Sequence, residues 1–144
     1  MQATRAQGLL RNFRGAAAVE FALILFPLLY VIGGAVDFGL AYFVSHLVQN
    51  AAREGARLAA TLPDLQADDA RVVLAVQSKL LDIDLLADFK SPENIKTTFI
   101  CASKEVTVTV SGHYKYTFLR IIPGFTDVPM DRFVAMRYEQ DCPE

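Results

Sequence analysis

Residues 14–36 read RGAAAVEFALILFPLLYVIGGAV. A basic residue and a glycine come first, then four small apolar residues, then one acid, Glu20, and from Phe21 to Val36 an uncharged apolar run. As an α-helix, the 21 residues from Ala16 to Val36 span roughly 31 Å, one hydrocarbon core thick. No other stretch is apolar for long enough to cross a bilayer. Glu20 is the only charge in the span, and a charge at that depth costs a few kcal/mol, which makes it a functional candidate in its own right.

Working outward, charge is distributed unevenly. The chain has 144 residues and a formal net charge of −2, but residues 1–15 carry Arg5, Arg11 and Arg14 and no acid. A basic flank ahead of an apolar span stays on the cytoplasmic side, so the C-terminal portion is expected outside the inner membrane. The chain beyond the leader holds all 16 acidic residues and offers no basic footprint for nucleic acid. Outside the membrane the two cysteines, Cys101 and Cys142, are expected to be oxidised to a disulfide rather than left as thiols. The bridge would close a loop of about 42 residues and restrict the unfolded chain by roughly 4 kcal/mol. No clustered Cys or His ligands surround them, so no metal site is expected.

Residues 1–15 lack a sustained apolar face and read as a leader that is disordered or lies at the membrane surface. Two processing schemes fit the apolar run beyond it. A secretory signal would be cut after that run, near Gly33, Gly34 and Ala35. A cut at Gly15 would instead leave the helix as a permanent anchor. An acid inside the apolar region is unusual for a signal, and the apolar pattern continues past Asp37 through Leu40, Tyr42, Phe43, Val44, Leu47 and Val48. The helix is therefore expected over 16–62, membrane-spanning to about residue 36–44, with Asp37 marking the outer boundary. Pro27 removes one backbone hydrogen bond and should kink it. Gly33, Gly34 and Gly39 weaken it but permit another helix to approach closely in lipid. Beyond Ser45 the helix turns amphipathic, with Val48, Ala51, Ala52 and Ala59 on an apolar side and Arg53, Glu54 and Arg57 on a polar one. Pro63 stops it.

Asp64–Asp69 reads as an acidic linker from which Asp68 or Asp69 caps a second helix. That helix would bury Val72, Val76 and Leu80, with Leu85, Leu86 and Phe89 in a further short turn. Ser91-Pro92-Glu93-Asn94 is turn chemistry. The period then changes from 3.6 to 2. A first strand is expected over 96–101. In a second, Val106, Val108 and Val110 share a face with Tyr114, Tyr116 and Phe118, so one long strand, with room for a bulge at Gly112, fits better than a hairpin broken there. Residues 119–130, with Pro123, Gly124 and Pro129, read as a loop, and 132–139 as the last strand, with Val134, Met136 and Tyr138 on one face. The fold class is α+β: a long N-terminal transmembrane helix continuing into a small domain with a second helix and a three-stranded antiparallel sheet on its upper part.

With a cut after Gly15, Ala16 becomes the first residue and Glu20 the fifth. This resembles the type IV pilin signature of a short basic leader, a glycine, an acid at mature position five and an apolar helix. The wider string RGAAAVEFALILFPLL, with VQNAAREGARLAA at the far end of the helix, is similar to the TadE-like family, minor pilins or pseudopilins of the tight-adherence (Flp-type) pilus. The resemblance is strongest over 14–60. It implies a prepilin peptidase acting between Gly15 and Ala16, and Glu20 meeting the N-terminal amine of a neighbouring subunit during helix assembly. Arg53, Glu54 and Arg57, which match AAREGAR, become candidate subunit contacts. The implied partners are other Tad pilins and minor pilins, the inner-membrane pilus assembly platform and the lipid bilayer.

No catalytic constellation or cofactor motif is legible. His46 and His113 have no acid–nucleophile partner in sequence and read as surface or packing residues, and Gly33-Gly34 lies in a helix with no strand before it. The expected organisation is a cleaved cytoplasmic leader over 1–15, the helix over 16–62 and a periplasmic domain over 63–144. The alternatives are a membrane-anchored periplasmic scaffold unrelated to pili and a secreted enzyme released from a signal peptide.

Overall fold

The structure, a computed structural model, describes residues 3–63, 65–80 and 86–139, with side chains described for 15–63, 68–80 and 86–139. Helix α1 runs from Ala3 to Thr61 and α2 from Leu65 to Lys79. Strands β1 (Ile95–Ile100), β2 (Glu105–Lys115) and β3 (Asp127–Arg137) form one antiparallel sheet in the order β1-β2-β3. The α+β class and the three-stranded antiparallel sheet match the sequence pattern.

The upper part of α1 is the spine of the core. Val44, Val48, Ala51, Ala52, Ala56 and Ala59 are buried against Val72 and Val76 of α2 and Val106, Val108 and Val110 of β2. Burying each valine contributes about 1.5–3 kcal/mol. The alanines let both layers approach the α1 backbone. At Gly55 approach is closest: an added Cβ would lie 2.5 Å from Val76 Cγ2. The lower part of α1 is bare, with no buried residue between Gly15 and Ile32.

Several boundaries differ from expectation, each for a physical reason. α1 extends back into the stretch read as an unstructured leader, because alanine, arginine, glutamine and leucine are good helix formers and a helix already nucleated downstream propagates through them. Through Pro27 it continues, as expected. α2 begins at Leu65, so Asp68 lies in its first turn and Asp69 just beyond, and neither is the N-cap. Asp68 there faces the positive end of the helix dipole and accepts from Arg71 at 3.5 Å. β2 passes Gly112 in unbroken register, Gly112 opposite Met130, with no bulge, and it stops at Lys115, short of Tyr116 and Phe118, because the backbone N–H groups of Thr117 and Phe118 turn to the Asp37 carboxylate. The glycine is needed for space, since a Cβ would lie 2.6 Å from the buried Phe89 ring. β3 starts five residues earlier than expected, at Asp127, and includes Pro129 opposite His113. A proline has no N–H to donate, and β3 tolerates it as an edge strand.

Leu86 and Phe89 are buried in the short turn before Ser91, as their spacing suggested, whereas Leu85 lies outside the described residues. Cys142 lies outside them too, so the bridge to Cys101 is untouched by the geometry. Cys101 is exposed and starts the turn between β1 and β2. Past β3 the chain is tied to both neighbours: Tyr138 N–H donates to the Lys104 carbonyl at 2.8 Å and Glu139 N–H to that of Ala60 at 3.2 Å.

Candidate functional site

Three features of α1 stand out, in order along the helix. The first is its bare N-terminal half. Val19, Phe21, Leu23, Ile24, Phe26 and Val31 are all exposed, and Glu20 is exposed among them. The helix is long and apolar enough to cross a bilayer. Only lipid or other apolar helices can cover such a surface without a large hydrophobic penalty.

The second lies where that bare segment ends, and the sequence did not disclose it. Asp37, read only as a boundary marker, is fully buried, at 0% exposure. Its Oδ1 accepts the backbone N–H of Thr117 at 3.0 Å, and its Oδ2 those of Phe118 at 2.8 Å and Leu119 at 2.7 Å. The Tyr114 hydroxyl donates to the Asp37 backbone carbonyl at 3.3 Å. The carboxylate thus caps the short 3-10 turn Leu119–Ile121 from across the structure. Charge-assisted bonds of this kind contribute about 1.5–3 kcal/mol each. Burial first, then the Asp37 charge and the Tyr116 phenol, raise the Tyr114 pKa above its ordinary 10.0. One turn earlier, Gly33 and Gly34 are buried under Phe118 and Leu119, and a Cβ on Gly33 would lie 2.9 Å from that of Phe118. The sequence suggested that these glycines admit another helix, but the chain's own turn occupies the place. The local trace in the sequence is a pair of glycines three and four residues before an acid, on one side of a helix.

The third is the polar face near the top. Arg53 and Arg57 are exposed and Glu54 half-buried, with Arg57 Nη2 3.9 Å from Glu54 Oε1. Such a surface pair contributes only a few tenths of a kcal/mol, so both guanidinium groups are available to other partners. Glu20 and this face lie on one helix but over thirty residues apart, so they form two separate surfaces. Of the histidines, His46 stacks edge-on against Tyr42, and His113 Nδ1 lies 3.2 Å from Asp88 Oδ2, whose carboxylate also accepts the His113 backbone N–H at 2.7 Å. Both contacts are structural. Among the described residues there is no group of His, Cys, Asp and Glu able to hold a metal ion.

Among the described residues there is one bilayer-length helix, bare at one end and clasped by an α+β domain at the other, and this defines the class of chain. Residues 15–57 match the model of the TadE-like protein family. The match opens on Gly15 and takes in Glu20, Asp37, Arg53, Glu54 and Arg57. No curated protein and no solved structure matches the chain.

Proposed function

We propose that this chain is a minor pilin or pseudopilin of a tight-adherence pilus, with an assembly role and no catalytic one. A prepilin peptidase cuts after Gly15, and residues 1–15 are its cytoplasmic leader. The helix from Ala16 anchors the protein in the bacterial inner membrane, and residues 63–144 lie in the periplasm, where Cys101 and Cys142 form a disulfide. The observation that carries this reading is Glu20, exposed on an uncovered apolar helix and fifth in line from Ala16, inside the stretch that matches the TadE-like model. A carboxylate in hydrocarbon is tolerated when a cation meets it, and the new ammonium of a neighbouring subunit's Ala16 supplies one. Other Tad pilins and minor pilins pack on the bare half of α1, and the assembly platform or a neighbouring subunit meets Arg53, Glu54 and Arg57.

N-terminal sequencing of the protein from native membranes tests this. A start at Ala16 is the expected outcome, and a Gly15→Leu variant should keep its leader. Retention of Met1 in the unaltered protein, or a start near Val36, would overturn it in favour of an uncleaved anchor or a secreted domain.

A further inference from the structure

The domain is fastened to α1 as low as Gly33, Gly34 and Asp37. Counting from Ala16 at 1.5 Å per residue, Gly33 lies about 26 Å along the helix and Asp37 about 32 Å, while a hydrocarbon core is about 30 Å thick. With Ala16 at the inner edge of the core, the turn seated on Gly33, Gly34 and Asp37 falls level with the outer rim, not clear of it. What the turn displays at that level is apolar: Phe118 is 48% exposed, Ile121 72% and Phe125 44%. Rings connect it to the helix, Phe38 to Tyr116 at 6.2 Å between centroids and Tyr116 to Phe125 at 6.4 Å. Arg120, exposed, is interleaved with these residues.

We propose that the segment Phe118–Phe125 is a second membrane contact, resting in the outward leaflet of the bilayer that α1 crosses. This rests on the anchor reading given above. Its occupant is lipid because the patch continues the bare surface of the helix: Val31, Ile32, Val36 and Phe38 are exposed beside the turn that carries Phe118 and Ile121. Aromatic rings and an arginine at the end of an apolar surface are the side chains that settle at a headgroup boundary, with the guanidinium reaching the phosphates. The enclosure of Asp37 fits the same environment. At the rim of hydrocarbon a bare carboxylate would be costly, and here three N–H groups replace water around it. The contact fixes the tilt and height of the domain over the membrane, which a single helix leaves free to rotate.

The chain has no tryptophan, so one introduced residue reports alone. Ile121→Trp, Leu28→Trp and Phe133→Trp would be made in the full chain and reconstituted into phosphatidylethanolamine and phosphatidylglycerol vesicles. The acyl chains carry bromine either near the headgroup or near the methyl end. Position 28 lies mid-span, and Phe133 is exposed on β3 beside Gln49, well above the rim. Ile121→Trp should be blue-shifted and quenched at least about twofold more by shallow bromine than by deep, the reverse of Leu28→Trp, with Phe133→Trp unquenched. An unquenched Ile121→Trp beside a quenched Leu28→Trp overturns the second contact and leaves the anchor standing. A blue-shifted Ile121→Trp that neither lipid quenches means protein covers the turn, and also overturns it. If Leu28→Trp is unquenched as well, anchor and contact fail together.

Discussion

The Asp37 carboxylate accepts the backbone N–H of Leu119 at 2.7 Å, across 82 residues of chain. It is the shortest of three such bonds, and together they hold the β2–β3 connection against α1. Asp37→Ala strands three donors in a partly buried place, at roughly 1–3 kcal/mol each where no water reaches them. The full chain in detergent should lose about 3 kcal/mol or more of domain stability. Amide exchange in the 114–120 segment should rise sharply, while the segment 15–32 exchanges as before. Asp37→Asn keeps an acceptor oxygen and should lose less. Unchanged exchange at Thr117–Leu119 in Asp37→Ala would show that the clasp is not what holds the turn.

Tyr114 gives the same clasp a pH signature. Its phenol titrates above 10.0 in the folded chain because it is buried beside Asp37, whereas in the unfolded chain it titrates near the ordinary value. Above pH 10 the unfolded state therefore binds fewer protons than the folded one, and stability falls as pH rises. The contribution is fully present below pH 10 and is lost through the more alkaline range. Chemical unfolding of the detergent-solubilised chain between pH 8 and pH 12 should show this decline, and Tyr114→Phe should flatten it. A decline of equal slope in Tyr114→Phe would assign it to other groups.

The difference between what was legible in the sequence and what was not has a physical pattern. Local periodicity carried the long helix, the Val72–Val76–Leu80 stripe and the alternation of Val106, Val108 and Val110, because each is set by neighbours a few positions away. Glu20 and AAREGAR stand out in the sequence as candidates for the same reason: their pattern is contiguous. The role of Asp37 was not legible, because its partners are backbone N–H groups eighty residues on, and the nearby Gly33 and Gly34 mark a close approach without telling what approaches. Pro129 misplaced the start of β3 because a proline argues against a strand unless its position at the sheet edge is known. Gly55 and Gly112 have no local signature at all, since what makes them necessary is a valine and a phenylalanine from other elements.

Two glycines of α1 yield a paired test. Gly55→Ala places a Cβ 2.5 Å from Val76 Cγ2. Overpacking of that kind costs about 1–3 kcal/mol, against about 1 kcal/mol gained in helix propensity. The balance should be destabilising and felt where α1 meets α2. Gly39 lies on the same helix with nothing within 4 Å of an added Cβ, so Gly39→Ala should be neutral or stabilising by up to about 1 kcal/mol. Thermal unfolding of the two variants should therefore move the midpoint in opposite directions or move it for Gly55 alone. Equal shifts would mean that the α1–α2 contact yields freely at this point.

On the reading proposed here, Glu20 is the residue on which assembly turns. Glu20→Ala removes a charge whose insertion into hydrocarbon costs a few kcal/mol, so the variant should reach the membrane at least as well as the unaltered chain. If the carboxylate serves to meet an amine on the next subunit, what is lost is lateral recognition. Glu20→Gln separates charge from shape, because it keeps the side chain's volume and hydrogen-bonding but cannot form an ion pair. Both variants should fractionate with the inner membrane, both should be cut after Gly15, and both should reduce surface pili to a small fraction of normal, counted by shearing and electron microscopy. An arginine or lysine at position 20 should do no better, since it would repel the ammonium it must meet. Full piliation in Glu20→Gln would show that charge is dispensable there, and full piliation in Glu20→Ala would remove the pairing role altogether, leaving the acid without the function proposed for it.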